Sequence, residues 1–154
     1  MKAAVAAESY EGKLVSESVA DNPVCRLLID PSVPCLLLHW RKDATSLQLR
    51  FILESVIMIL QAEALQYLIG DDGHILRIGP DDQSWIAKDW MPRAVSAGLH
   101  AAASTVPFSH LGKFALESIH AGVPAGLAVG SFEHLEHAKR WLRDRRLREQ
   151  DKAS

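Results

Sequence analysis

Five residues, Asp30-Pro31-Ser32-Val33-Pro34, constrain this chain more than any other stretch. Two prolines in one short segment cannot donate to a strand ladder, so the backbone must turn there. They separate two apolar runs of strand length, Val24 to Ile29 and Cys35 to Trp40. That pattern predicts an antiparallel hairpin. Beyond Trp40 the period changes. From about Ala44 to Ala64 the spacing is helical, with Leu49, Ile52, Leu53, Val56, Ile57, Ile59 and Leu60 in one broad stripe. Leu47, Phe51 and Met58 form a second, narrower stripe on the same helix.

After this helix, strands and helices alternate. Leu65 to Gly70 reads as a strand that ends in Asp71-Asp72-Gly73. Pro80 suits the first position of a helix, Asp81 and Asp82 complement its dipole, and Gly98 is placed to end it. His100 to Val106 is a strand of small residues closed by Pro107, and Leu111 to His120 is a helix ended by Gly122. Gly126-Leu127-Ala128-Val129 reads as a fifth strand, and Ser131 is placed to cap a last helix whose inner face is Leu135, Ala138 and Leu142. The order β-β-α-β-α-β-α-β-α predicts an α/β fold: an N-terminal antiparallel hairpin followed by βα units in a mixed five-stranded sheet with four helices. Residues 1–21 read as a flexible leader, 22–147 as the domain and 148–154 as a basic and polar tail.

At 154 residues the chain is long enough to bury one core, and 48% hydrophobic with 23% charged residues is a globular composition. The longest apolar stretches, Cys35 to Trp40 and Val56 to Leu60, fall far short of the roughly 20 residues of a membrane span. The N-terminus lacks the apolar run of a signal peptide, so a cytoplasmic location is expected. Cys25 and Cys35 flank the turn and are read as buried thiols rather than a bridge. The net charge of −2 is uneven, because Lys139 to Lys152 carries seven basic and three acidic residues. A nucleic-acid contact there is disfavoured. Trp141 is the only aromatic in it, and cations at a helix end have a structural use.

The segments Asp81-Asp82-Gln83-Ser84-Trp85, Trp90-Met91-Pro92-Arg93-Ala94 and Gly98 are distinctive, as are Phe132, Ala138 and Trp141-Leu142. In these residues the chain resembles the bacterial SpoIIAA-like group of STAS-type domains, many of them of unknown function. The resemblance follows the element order from about Val24 to Leu142. It implies a STAS-like sheet with helices mainly on one face, a binding or regulatory role without catalysis, and frequent self-association. The phosphoserine switch of anti-sigma-factor antagonists does not carry over. The Asp-Ser pair is absent at the start of the helix, and Ser84 lies inside it, where Asp81 and Asp82 would repel a phosphate.

Interface or pocket candidates come from the faces left outside the core. The second stripe, with Phe51 and Met58, needs a cover, which is either a partner subunit in a homodimer or a loop or the leader. On a regular wheel Trp90 belongs to the buried face of its helix, while Trp85 falls opposite with Asp89. Trp85 is therefore an interface or pocket wall, or a ring lying over the loop His74 to Ile78. A regulatory protein is one expected partner. A small apolar molecule or lipid in a cleft near Trp85 and Trp90 is the alternative. The residues Asp71, Asp72, Asp81, Asp82 and His74 could bind a cation or act in a hydrolase, but turn and dipole roles explain them better. His134 and His137 are spaced for a metal but lack a nearby third ligand. No nucleophile, phosphate-binding or redox motif occurs, so neither a catalytic residue nor a metal or other cofactor is expected.

Overall fold

The computed structural model describes residues 23–153 and the backbone of Lys13–Leu14. Six strands form one sheet in which spatial order follows chain order. β1 (Lys13–Leu14), β2 (Cys25–Asp30) and β3 (Cys35–Trp40) pair antiparallel. From β3, the strands β4 (Tyr67–Asp71), β5 (Ala101–Thr105) and β6 (Ala128–Phe132) pair parallel. The hairpin closes at the two-proline turn, with Asp30 opposite Cys35 and Cys25 opposite Trp40. The two cysteines therefore lie at opposite ends of the hairpin and in opposite core layers, buried and unbridged. Burial pushes the Cys35 thiol up to about 12.

Each parallel step moves one strand in the same direction across the sheet. Right-handed crossovers then place every connecting helix on one face. α1 (Ser46–Ala62), α2 (80–96) and α3 (His110–Ala121) do lie together there. They pack Leu53, Val56, Trp90, Ala94 and Ile119 against Leu36, Leu38 and Leu68. α4 (Leu135–Ala153) follows the edge strand and covers the other face, where Ala138 and Leu142 meet Leu37, Ile69 and Ala103. Strands buried on both faces read as continuous apolar runs, which is the pattern of Leu36-Leu37-Leu38.

Local chemistry sets the helix boundaries. Thr45 and Gln48 form a reciprocal capping box at the start of α1. At its end the Leu65 N–H donates to the Leu60 carbonyl around Ala64, whose φ of 51° is left-handed. α2 is one continuous rod in three parts: α-helix Pro80–Trp85, a π turn Ile86–Trp90 and α-helix Met91–Ser96. The Met91 N–H reaches back five residues to the Ile86 carbonyl. This change of register just before Pro92 lets a helix carry a proline that cannot donate. Pro92 is thus accommodated by a π turn within the rod, and Gly98, at φ 112°, ends it.

Three boundaries differ from expectation. Lys13–Leu14 fall in the expected leader yet pair with Ile29 and Leu28, so the sheet has six strands rather than five; the rest of residues 1–21 lies outside the described residues. The last strand is Ala128–Phe132 rather than Gly126 to Val129. Gly126, at φ 88°, belongs to the preceding turn, and Ser131 is a strand residue instead of a helix cap. α4 runs through the expected tail to Ala153. Its last turns are held by the Tyr67 hydroxyl, which donates to Glu149.

Candidate functional site

The second stripe of α1 is one patch of exposed apolar surface, with another formed by Leu76, Phe108, Leu111 and Phe114. Leu47, Phe51 and Met58 are 82%, 61% and 69% exposed, while Leu49, Ile52, Leu53, Val56, Ile59 and Leu60 are buried. Ser55 and Ala62 complete a row at 47, 51, 55, 58 and 62. The Ser55 hydroxyl donates to the Phe51 carbonyl at 3.0 Å, so it is satisfied within the helix.

Trp85, Asp89 and Trp90 occupy three different environments. Trp90 is buried, and its indole N–H donates to the Leu53 carbonyl at 2.6 Å, locking α2 to α1. Trp85 is half-buried between those helices, with the Arg50 and Arg93 guanidiniums 4.8 and 6.0 Å from its ring centre. Arg93 in turn binds Asp89 at 2.7 Å and Glu54 on α1. The ring is packed against the core of this face rather than freely exposed. A regular wheel puts it too far from the core because the π turn adds a residue within the rod.

The carboxyl edge of the parallel strands holds a cleft of about 740 Å³. Trp40, Leu49, Ile75, Ile78, Leu111 and Phe114 supply its apolar walls. Neither Trp85 nor Trp90 lines it. Behind it, the small residues Gly70, Ala102 and Ser104 leave a chamber of about 100 Å³ beneath Trp90. Trp40, Leu49, Ile75 and Ile78 line both spaces.

The aspartates of this edge are dispersed. Asp71 points to the α4 side, where His39 Nδ1 lies 2.9 Å from it and the Thr105 hydroxyl donates at 3.1 Å. Burial alone would raise its carboxyl, but these partners outweigh burial and hold it below the usual range. Asp72 points to the opposite side, into the chamber. A Cβ at Gly70 would come within 2.7 Å of its carboxyl oxygen, so only glycine admits this fold-back. Burial, and then the Asp71 charge, push the Asp72 carboxyl up to about 7, against a hydrogen bond from Ser104. Asp82 is buried and accepts from Arg50 and Ser46, each at 2.8 Å.

Ser104 also lies 3.5 Å from His120 Nε2, and burial lowers the pKa of that imidazole. A hydrolytic triad places the carboxylate on the imidazole. Here it sits on the serine, so Asp72, Ser104 and His120 form a hydrogen-bonded chain without an oriented base. His134 and His137 stack edge-on, 5.2 Å between ring centres, on an exposed segment. No group of three or more metal-ligating side chains occurs among the described residues, and no described helix is long and apolar enough to cross a membrane. Compared with known proteins, the chain matches no family model, no curated sequence and no solved structure.

Proposed function

We propose that the chain is a non-catalytic, STAS-like binding module that works as a homodimer through α1. One observation carries this reading: Leu47, Phe51 and Met58 stay exposed on a helix whose other large apolar side chains are mostly buried. The row supports self-pairing in particular. Positions 47, 51, 58 and 62 are symmetric about the middle of the helix. In an antiparallel pair of copies Phe51 then meets Met58 and Leu47 meets Ala62. Ser55, small and already satisfied, sits near the two-fold axis and permits close approach. α1 has no acidic residue in its first turn and no basic residue in its last, and an antiparallel neighbour complements both dipole ends. The α2 face is the weaker candidate, because Arg50 and Arg93 already cover Trp85.

Oxidative cross-linking of variants with one added cysteine tests the register. Cys25 and Cys35 are fully buried and do not compete. Ser55→Cys is expected to form an intermolecular disulfide readily, and Leu111→Cys, on α3, is not. Equal cross-linking of the two variants would sink the α1 dimer.

A further inference from the structure

The cleft at the carboxyl edge is built differently from the α1 stripe. Its walls are apolar, and two of them, Leu111 and Phe114, are 65% and 69% exposed at the mouth. Its charged lining is unbalanced in a specific way. Both acidic residues are already engaged within the chain: Asp43 accepts from the Leu76 N–H at 3.1 Å, and Asp82 is held by Arg50 and Ser46. The Gln83 amide donates to the Ile78 carbonyl at 2.7 Å. Both basic residues, Lys42 and Arg77, are exposed and have no ion pair among the described residues. An apolar trough with one carboxylate ion-paired to Arg50, the other turned onto the Leu76 N–H, and two cations without an ion pair among the described residues is complementary to one kind of occupant. Its volume of about 740 Å³ lies within the usual range of small-molecule sites.

We propose that this cleft binds a single amphiphile with one anionic head group. Lys42 and Arg77 hold the head, and Trp40, Ile75, Ile78 and Phe114 take the apolar body. The head is carboxylate-like, and a guanidinium can bind it with two parallel hydrogen bonds. The apolar part drives binding, and the cations select the sign of the head. Nothing in this depends on the α1 pairing, so the two proposals fail separately.

Calorimetric titration of the full chain with decanoate, below its micelle concentration, is the test. Saturable binding of one decanoate per chain is expected, with decyltrimethylammonium at least about tenfold weaker from the reversed charge. Arg77→Gln and Lys42→Gln are each expected to weaken decanoate about three- to fivefold, the range of an exposed charge pair. Phe114→Glu should abolish binding while leaving the circular dichroism spectrum unchanged, since that side chain is exposed. Phe51→Glu should leave decanoate binding as it was. The proposal is overturned if no saturable binding occurs below the micelle concentration, or if the cationic amphiphile binds as tightly. Wild-type affinity in Phe114→Glu would overturn it too. Binding to vesicles of anionic phospholipid without binding of monomeric decanoate would replace it with a membrane surface.

Discussion

Ala64 and Asp72 each hold a local arrangement that their residue type disfavours, and each makes a measurable prediction. A left-handed alanine costs roughly 1–2 kcal/mol, part of which a glycine gives back through its freer unfolded chain. Ala64→Gly is therefore expected to stabilise the protein by about 0.5–1 kcal/mol, read as a higher urea midpoint at unchanged slope. Asp72 acts through pH. The folded carboxyl keeps its proton up to about 7, whereas a free aspartate loses it near 3.8. Between those two values the folded state binds more protons than the unfolded, so this group's contribution falls as pH rises. Asp72→Asn removes that dependence. Its stability relative to wild type should climb from about pH 4 to about pH 7, by on the order of 4 kcal/mol, and then level off. A difference that stays flat with pH would mean that Asp72 is charged in the fold. Asp71-Asp72-Gly73 reads as turn chemistry in the sequence, so the burial of Asp72 was not legible. The signal present was Gly70, a glycine inside a strand, which marks a close approach.

At the scale of elements, apolar periodicity made all four helices and the five longer strands legible, and the misplacements have physical causes. A wheel of constant pitch cannot represent a rod with a π turn, which is why Trp85 seemed to face away from the core. The last strand shifted because Ala101 to Thr105 pairs with Ala128 to Phe132, a long-range register that local apolarity does not encode. The reach of α4 was hidden for the same reason. Residues 148–154 read as a tail, yet α4 continues to Ala153, and at its start Lys139 is buried against Asp30 at 2.8 Å and pins the helix to the hairpin. Burial alone would raise the Asp30 carboxyl, but Lys139 and Ser32 hold it below the usual range. Lys139→Met leaves that carboxylate buried and uncompensated, and should cost about 3–5 kcal/mol. Adding Asp30→Asn, which keeps an acceptor for Ser32, is expected to recover most of the loss in chemical denaturation. A double variant no better than Lys139→Met would show that the ion pair is not what fastens α4.

Across the whole molecule, the steady march of strands from β1 to β6 explains the layering. Three crossovers of one hand cover one face, and the final helix has only the other face left. The single-face bias of the helices was expected from the resemblance, and three of the four obey it. The carboxyl-edge cleft was not legible. Trp40, Leu49, Ile75 and Phe114 come from four separate segments, and each reads locally as ordinary core. The stripe at Leu47, Phe51 and Met58 was legible because one helix carries two apolar faces and a sheet can cover only one. A single stripe is a small contact, so the dimer should be weak and dependent on concentration. Sedimentation velocity from low micromolar to several hundred micromolar protein, on wild type and Phe51→Glu, measures this directly. A monomer–dimer equilibrium in the wild type, with Phe51→Glu monomeric and Trp85→Ala still dimerising, is the expected result. A wild type that stays monomeric throughout, or a Phe51→Glu variant that dimerises equally well, would contradict it.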